Sequence, residues 1–320
     1  MPLEDDPSRH MLLHIGYHKT GSSFLQRTLF TAGDLGFVSV ERSLIDRQLI
    51  VPGGFHEVPA EVARRFRDEA AAAAAGGRIL VVSHERLSGY PVAGGVDSRL
   101  IADRLHGLFP RARVLVVIRE QKSFIRSMYS QYITDGGDQS LSRLLNPPQP
   151  DVKRLPGWDF EFLAYHRLIH YYRDRFGPDR VLVLPFERLC RDPHRFVADI
   201  LRFCGLRAEA SAALPATVVN PRRPLTLQAV TRLINRHLVR SQLSSGGFVA
   251  QRPARAALAR LAPVFARLTP AFVERALERR LRRIIAAAVG DRYAASNRET
   301  AALIGIDLSA YDYPCAADPD

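Results

Sequence analysis

A short glycine-bounded loop near the N-terminus combines residue types that bind anions. Residues 16–23 read Gly-Tyr-His-Lys-Thr-Gly-Ser-Ser and stand between an apolar run and a helical stretch. A turn in that position points backbone N–H groups and a helix N-terminus at one spot. The hydroxyls of Thr20, Ser22 and Ser23 add hydrogen-bond donors, and Lys19 adds a positive charge. The loop therefore predicts an anion site, whereas its two glycines alone would fit any turn between strand and helix.

The position of the lysine separates this loop from the nucleotide-binding P-loop, GxxxxGK[ST]. Gly16 and Gly21 keep the glycine spacing, but Ser22 occupies the lysine position and Lys19 lies within the loop. A Mg·ATP enzyme usually also has an acidic residue at the end of a neighbouring apolar strand. Glu85, just after an apolar run, is a candidate for that carboxylate, so a kinase stays open as an alternative.

Arg119 and Ser127 form a second candidate constellation. Arg119 follows the apolar run at residues 113–118, where a metal-dependent nucleotide enzyme would need an acidic residue. An arginine in that place favours an anion instead, because its planar fork suits phosphate and sulfate. Ser127 stands eight residues later, on the second turn of the following helix. Both side chains could reach a second phosphate near the loop.

The end of a second apolar run, residues 78–83, supplies two candidate bases, His84 and Glu85. Ligands bind at the carboxyl ends of parallel strands, so this tip should face the same site as the loop. Neighbouring residues on a strand point to opposite faces, so only one of the two should enter the site. Histidine is the better intrinsic base near neutral pH, whereas a glutamate among many arginines could be a structural ion pair.

Three segments, in this order, resemble the sulfotransferases that use 3′-phosphoadenosine 5′-phosphosulfate (PAPS). They read HKTGSSFLQ from residue 18, VIREQKSFIRSMYSQY from residue 117 and VLVLPFERLCRDPHRFVADILRFCGL from residue 181. The resemblance runs from about His10 to Leu206 and extends weakly to Tyr293–Pro314. Its two phosphate motifs are correctly ordered and spaced, which makes the combination specific.

The resemblance implies a set of donor-binding residues. The 5′-phosphosulfate would be held by the loop residues Lys19, Thr20, Gly21, Ser22 and Ser23, with His18 lining the site. Arg119 and Ser127 would grip the 3′-phosphate. Asn220-Pro221-Arg222-Arg223 falls where related enzymes carry a segment that closes over the nucleotide, so Arg222 and Arg223 are further candidates. Sulfonyl transfer of this kind requires no metal.

Catalytic roles are implied in the same way. Lys19 would donate to the bridging oxygen as negative charge develops there. Some members of the family carry a catalytic histidine in a Lys-Thr-His triplet at a comparable strand end, which matches His84, although Val82 replaces the lysine. Other members use a glutamate, which matches Glu85. We take Glu85 as the first candidate for the base and keep His84 as the second.

Four β-branched runs and the helical stretches between them predict the fold. The runs cover Leu12–Tyr17, Arg78–Ser83, Arg113–Arg119 and Arg180–Pro185, and Gly36–Val40 is a weaker fifth. The intervening helices are predicted over residues 22–30, 60–75, 98–109, 123–133, 160–176 and 195–203, with Asp192 as an N-cap. Strand alternating with helix predicts an α/β three-layer sandwich with a central, mainly parallel sheet, as in P-loop proteins. We expect one domain, with its α/β core at about residues 10–206.

The remainder, about residues 207–320, is predicted to be helical. From about Leu225 the strand signal disappears, and residues 254–268 and 270–289 are rich in arginine and alanine with helical period. A basic amphipathic helix can lie on a membrane surface, but such helices more often pack on their own domain. The proline-bearing segment 146–156 is predicted to be a loop, since a strand follows it.

Composition sets the remaining limits. The 320 residues carry a net charge of +12, and the basic residues include only three lysines, so an anionic partner is expected. Cys190, Cys204 and Cys315 are scattered, which excludes a disulfide framework and fits a reducing, cytoplasmic location. No window approaches the ~20 apolar residues of a membrane span. A nucleic-acid-binding protein is the third reading, but no interleaved aromatics or zinc spacing supports it. The resemblance implies a hydroxyl or amine acceptor on a glycan, a lipid or a small metabolite.

Overall fold

Five parallel strands form the central sheet, as the sequence predicts. They are β1 (Met11–Gly16), β2 (Phe37–Ser39), β3 (Ile79–Ser83), β4 (Arg113–Ile118) and β5 (Val181–Pro185). Their order across the sheet is β2-β3-β1-β4-β5, and every neighbouring pair is parallel. The weak signal at residues 36–40 corresponds to the edge strand β2. The α/β class with a central parallel sheet is therefore confirmed.

The computed structural model describes residues 6–147, 156–213, 223–244, 247–250 and 267–315, together with 256, 258, 260, 263 and 265. The chain divides into two compact units. The first unit comprises Met1–Glu120, Phe160–Val218 and Tyr293–Asp320, and it contains the whole sheet. The second comprises Gln121–Asp159 and Val219–Arg292. The limits of these two units differ from the predicted end of the α/β core near residue 206. The assignment of the whole chain to one domain stays a prediction.

Helices connect and flank the strands. In chain order they are α1 (Ser22–Phe24), α2 (Arg42–Ile45), α3 (Ala60–Ala75), α4 (Ser98–Leu108), α5 (Gln121–Thr134), α6 (Leu141–Leu145), α7 (Tyr165–Phe176), α8 (Phe186–Arg191), α9 (Pro193–Phe203), α10 (Leu225–His237), α11 (Ala271–Val289) and α12 (Ala294–Ile304). Two of them, α1 and α2, continue as π-helical turns over Leu25–Leu29 and Asp46–Ile50. The predicted N-cap is confirmed, because the Asp192 side chain accepts a hydrogen bond from Arg195 N at the start of α9.

The core of the first unit follows the two-residue period of buried strands. Leu12, Val81 and Leu115 point to one face of the sheet and belong to a single buried cluster with α1, its π-helical turn and α9. Each such side chain contributes about 1.5–3 kcal/mol when it is fully buried. The sheet is buried on both faces, as indicated by the unbroken burial of β1 and β3. That pattern is typical of a parallel sheet between helical layers.

Two predictions of secondary structure are wrong in detail. The helix predicted over residues 160–176 is broken at Ala164, so a 3₁₀ turn, Phe160–Leu163, precedes α7. Residues 162–165 are all buried, and one continuous helix cannot bury four consecutive positions on one face. The segment after Leu225 is not purely helical, because Val239–Arg240 (β6) pairs with Val249–Ala250 (β7) in a small parallel sheet.

The second unit is built from α5, α6, α10 and α11, with β6 and β7. Asn235 on α10 donates from Nδ2 to the carbonyls of Ile133 (2.7 Å) and Gly137 (2.8 Å), which ties α10 to the end of α5. The Glu274 carboxylate of α11 accepts from the N–H groups of Leu225 (2.9 Å) and Thr226 (3.0 Å) and so caps α10. Polar contacts thus orient the helices of this unit.

Some predicted elements lie partly outside the described residues. Within the helix predicted over 254–268, residues 256, 258, 260, 263, 265, 267 and 268 are helical, and the others are outside. Residues 148–155 of the predicted loop and Arg222 also lie outside the described residues. Among the described helices, none combines the length and the apolar character that a membrane crossing requires.

Candidate active site

Three chain segments converge at the carboxyl edge of the sheet, because β3, β1 and β4 are neighbouring parallel strands. The anion loop follows β1, the tip with His84 and Glu85 follows β3, and Arg119 follows β4. His84 N donates to the carbonyl of His14 on β1 at 3.1 Å, so the tip is hydrogen-bonded to the strand that leads into the loop. The residues that the sequence analysis selected from these three segments therefore meet at one edge.

Close backbone approach explains the glycine that opens the loop. The pairing of β1 with β4 is irregular between His14 and Gly16, and Gly16 has φ +97°. A Cβ at Gly16 would lie 2.9 Å from the carbonyl oxygen and 3.0 Å from the Cα of Glu85. Any side chain there would push the loop away from the tip. Glycine is therefore required both by conformation and by contact.

The loop itself is held by its own hydrogen bonds. Tyr17 N donates to the carbonyl of Val117 on β4 at 2.7 Å, and Thr20 Oγ1 donates to the carbonyl of Tyr17 at 2.6 Å. Lys19 and Gly21 both have left-handed backbone conformations, with φ of 61° and 85°. Helix α1 then begins at Ser22, and the first N–H groups of a helix have no acceptor within it. The predicted cradle of a turn and a helix N-terminus is present.

Two buried polar atoms in this loop have no hydrogen-bond partner among the described residues. They are Ser22 Oγ and His18 Nδ1. A buried polar group without a partner costs about 1–3 kcal/mol, so such atoms call for a partner from outside the chain. Burial is the main cause that lowers the pKa of His18 to about 4; Glu85 raises this pKa, and Arg86, His84 and Lys19 lower it. The ring is therefore neutral at pH 7, so the loop carries its positive charge on Lys19.

Arg119 is held beside the loop by both its side chain and its backbone. One guanidinium nitrogen donates to the carbonyl of Lys19 at 2.8 Å, and the guanidinium lies 4.8 Å from the centre of the Phe186 ring. The Tyr165 hydroxyl donates to the Arg119 carbonyl at 2.6 Å. These contacts fix the Arg119 guanidinium next to the loop.

Arg119 lies in the first unit, whereas Ser127, its predicted partner at the 3′-phosphate, and Arg223, predicted for a segment over the nucleotide, lie in the second. Ser127 is on the second turn of α5, as predicted, and α5 belongs to the second unit. Arg223 precedes α10 in the same unit, where it donates to Thr134 Oγ1 at 3.4 Å. The structure describes each unit by itself, so the pairing of Arg119 with Ser127 and the role of Arg223 stay predictions.

His84 and Glu85 do not lie on strand β3, although the sequence analysis expected two strand residues that point to opposite faces. Strand β3 ends at Ser83, His84 caps a short 3₁₀ turn, and Glu85 begins that turn. His84 Nδ1 accepts from Arg86 N at 3.0 Å, so the ring proton is on Nε2, which lies 2.9 Å from Asp46 Oδ1. Burial lowers the pKa of His84, which keeps the ring neutral. Both ring nitrogens are thus committed to structural contacts.

Glu85 is an ionised carboxylate at the edge of the site. Burial raises its pKa, but His84, hydrogen bonding from its own backbone, His18 and Arg42 outweigh burial and bring the pKa to about 2. Its Oε1 accepts from Arg42 at 3.2 Å, and its Oε2 lies 3.4 Å from Gln26 Nε2. The side chain remains 26% exposed. Glu85 therefore forms an ion pair with Arg42, as one of the two alternatives predicted, and it is also accessible to solvent.

Sequence reasoning missed five residues that position these groups: Gln26, Arg42, Asp46, Glu187 and Tyr313. The first three contact Glu85 or His84. Glu187 accepts from Glu120 N at 3.1 Å and from the Tyr313 hydroxyl at 3.0 Å, which fixes the backbone next to Arg119. Burial raises the pKa of Glu187. These residues lie 38 to 194 residues in sequence from the groups that they position, so the helical spacing of Gln26 from Ser22 was the one local signal.

Comparison with known proteins agrees with this architecture. Residues 100–210 match the profile of the Sulfotransferase family. A sulfotransferase from Alicyclobacillus acidocaldarius has a similar fold, with a TM-score of 0.51 and 18% identity over 94% of this chain and 98% of that chain. A weaker similarity is to the sulfotransferase domain of the curacin biosynthetic pathway, with a TM-score of 0.39 and 14% identity over 96% of this chain and 98% of that chain. Another is to mouse sulfotransferase SULT7A1 complexed with PAP, with a TM-score of 0.39 and 12% identity over 86% of this chain and 94% of that chain. No curated protein matches the sequence.

The family match contains Arg119 and Ser127, whereas the anion loop lies outside it. The structural similarity extends over 94% of the chain, well beyond the family match. The match over residues 100–210 and the similar fold together support the assignment of the chain to the sulfotransferase family.

Proposed function

We propose that the protein transfers a sulfonate group from PAPS to a hydroxyl or amine of a glycan, a lipid or a small metabolite, without a metal ion. The observation that carries the proposal is the loop after β1. It joins a helix N-terminus, the charge of Lys19 and the unpartnered buried hydroxyl of Ser22, and Arg119 is hydrogen-bonded to it. These groups suit a phosphosulfate, and the donor atoms fit an anionic nucleotide better than a neutral ligand.

Binding of the donor is assigned to two sets of residues. The loop residues Lys19, Thr20, Gly21, Ser22 and Ser23 would hold the 5′-phosphosulfate, with His18 at its side. Arg119 and Ser127 would hold the 3′-phosphate, and Arg222 and Arg223 would belong to a segment over the nucleotide. Thr20 is fully buried and bonded to the Tyr17 carbonyl, so its contribution is to shape the loop.

The catalytic roles follow from charge. PAPS supplies an activated sulfonate whose leaving group is a phosphate. Lys19 would donate to the oxygen on which negative charge grows, an interaction that is stronger in the transition state than in the ground state. Glu85 would accept the proton of the acceptor, because its carboxylate is ionised and reachable, whereas both nitrogens of His84 are engaged. Arg42 and Gln26 would orient Glu85.

The kinase alternative needs a metal-binding carboxylate. Glu85 is its only named candidate, and its two oxygens contact Arg42 and Gln26. Within the described part of the chain, no cluster of three His, Cys, Asp or Glu residues suits a metal ion. The cytoplasm is proposed as the location, on the sequence argument from the scattered cysteines.

Sulfonate transfer should proceed in excess EDTA. The assay uses labelled PAPS, a panel of hydroxyl and amine acceptors, and mass spectrometry of the products, with ATP as a parallel donor. Transfer from PAPS that is unaffected by the chelator is expected. Loss of activity in EDTA with recovery on Mg²⁺, or transfer from ATP instead of PAPS, would support the kinase reading.

Replacing Lys19 by Met should lower kcat more than PAP affinity, where PAP is adenosine 3′,5′-bisphosphate. The methionine keeps the apolar stem, and the lost charge matters most as the bridging oxygen becomes anionic. One charged hydrogen bond is worth about 1.5–3 kcal/mol, so kcat should fall by roughly ten- to a hundredfold. Lys19→Arg is the charge-keeping control and should retain more activity. An unchanged kcat in Lys19→Met would remove Lys19 from the chemistry.

Glu85→Gln should abolish turnover while PAP still binds, because the amide keeps the shape of the carboxylate but accepts no proton. The matched variant is His84→Asn, whose side-chain oxygen can still cap the turn at Arg86 N, and it should keep measurable activity. Since the pKa of Glu85 is about 2, wild-type kcat/KM should show no loss from this group as the pH falls to about 4. The reverse pattern in the two variants would assign the base to His84.

Arg119→Ala should lower the affinity for PAP by about ten- to a hundredfold more than the affinity for AMP. Calorimetric titration with both ligands measures the two affinities. The ratio is the readout, because Arg119 also bonds to the Lys19 carbonyl and its loss will loosen the loop for either ligand. Ser127→Ala should shift the ratio in the same direction but less, since a hydroxyl is the weaker partner. Equal weakening of PAP and AMP would show that Arg119 does not recognise the 3′-phosphate.

A further inference from the structure

The exposed face of α11, in the second unit, is the largest unexplained concentration of charge in the described chain. This helix carries Arg275, Arg279, Arg280, Arg282 and Arg283, and all five side chains are exposed. Four of them, all except Arg282, make no hydrogen bond or ion pair with another described residue. The proposed sulfonate transfer uses none of them.

The two acidic residues of α11 are engaged in other contacts. Glu274 caps α10 through the N–H groups of Leu225 and Thr226. Glu278 accepts from Arg126 of α5 and pairs with Arg282 at 2.8 Å. Of the five arginines, only Arg282 is therefore paired with a carboxylate of α11. The first exposed acid beyond this face is Asp291, after the helix ends.

Helical geometry gathers the arginines into one stripe. Residues four apart stand one above the other, about 6 Å apart along the axis. Arg275, Arg279 and Arg283 follow that spacing and are exposed, whereas Ile285 and Val289 of the same helix are buried. Phe272 continues the stripe one turn earlier and is 66% exposed, and Leu268 just before the helix is 76% exposed.

We propose that this stripe, Phe272–Arg275–Arg279–Arg283, docks the protein on an anionic lipid surface. Arginines in a row complement the phosphates of a lipid headgroup layer, and each basic residue near such a surface contributes about 1 kcal/mol. Two large exposed apolar side chains at one end suit a bilayer, where they can enter the boundary of the acyl chains. A soluble polyanion offers no such apolar region. The inference does not depend on the proposed transfer reaction.

The test is co-sedimentation with vesicles of phosphatidylcholine alone or with about one third phosphatidylserine, in about 0.1 M NaCl. Wild-type protein should sediment with the anionic vesicles only. Arg275→Gln/Arg279→Gln/Arg283→Gln should lower the partition coefficient by about a hundredfold, since each charge is worth roughly fivefold. Glutamine matches arginine in helix propensity, and circular dichroism checks that the helix content is kept.

A matched control removes three exposed arginines elsewhere, Arg64→Gln/Arg67→Gln/Arg195→Gln on α3 and α9. This variant should bind like the wild type, because the stripe is intact. Phe272→Ala should lower the partition coefficient on anionic vesicles by about tenfold. This decrease should persist at about 1 M NaCl, where exposed charges are screened.

Several outcomes would overturn the proposal. These are absence of wild-type binding to anionic vesicles, undiminished binding by the stripe variant, or equal losses in the stripe variant and the control. Wild-type protein that ignores vesicles but binds heparin or duplex DNA through the same arginines would assign the stripe to a soluble polyanion.

Discussion

The candidate site depends on the contact between two backbones at the carboxyl edge of the sheet. Gly16 ends β1 so close to Glu85 that a Cβ would lie 2.9 Å from the Glu85 carbonyl oxygen. That approach brings the anion loop against the tip after β3, and Tyr17 N secures the loop to β4 at the same point. Strands supply the rigid frame, and the loops at their ends carry the polar groups. A rigid frame of this kind is what allows loop residues to hold a reacting group in place.

Charge around the loop is arranged by burial as much as by residue type. The pKa values of His14 and His18 are lowered to about 4, first of all by burial, so neither ring is charged at pH 7. Glu85 is ionised and paired with Arg42, which keeps its negative charge from dominating the loop. The positive potential of the candidate anion site therefore comes from Lys19, Arg119 and backbone N–H groups. An arrangement of fixed donors is suited to a transfer reaction in which charge moves from one oxygen to another.

The two units carry the positive charge in different ways. In the first unit, arginines hold carbonyls and carboxylates, as Arg119 does with Lys19 and Arg42 does with Glu85. In the second unit, α11 directs its acids inward to α5 and α10 and leaves its arginines in solvent. Net charge alone does not distinguish these uses. The direction in which each acidic neighbour points decides whether an arginine is structural or available.

The sequence by itself determined the class of fold and predicted an anion as the ligand. Unbroken β-branched runs are typical of strands buried on both faces, and a Gly-, Ser- and Lys-bearing loop between strand and helix is typical of an anion cradle. Only the tertiary structure shows the partners of His84 and Glu85, because Asp46, Arg42 and Gln26 lie 38 to 59 residues away in the chain, and the choice of base stays a prediction. It also decided where the strand ends. The alternation argument failed because β3 stops at Ser83, where the hydrogen bond from Arg86 N to the His84 ring turns the chain out of the sheet.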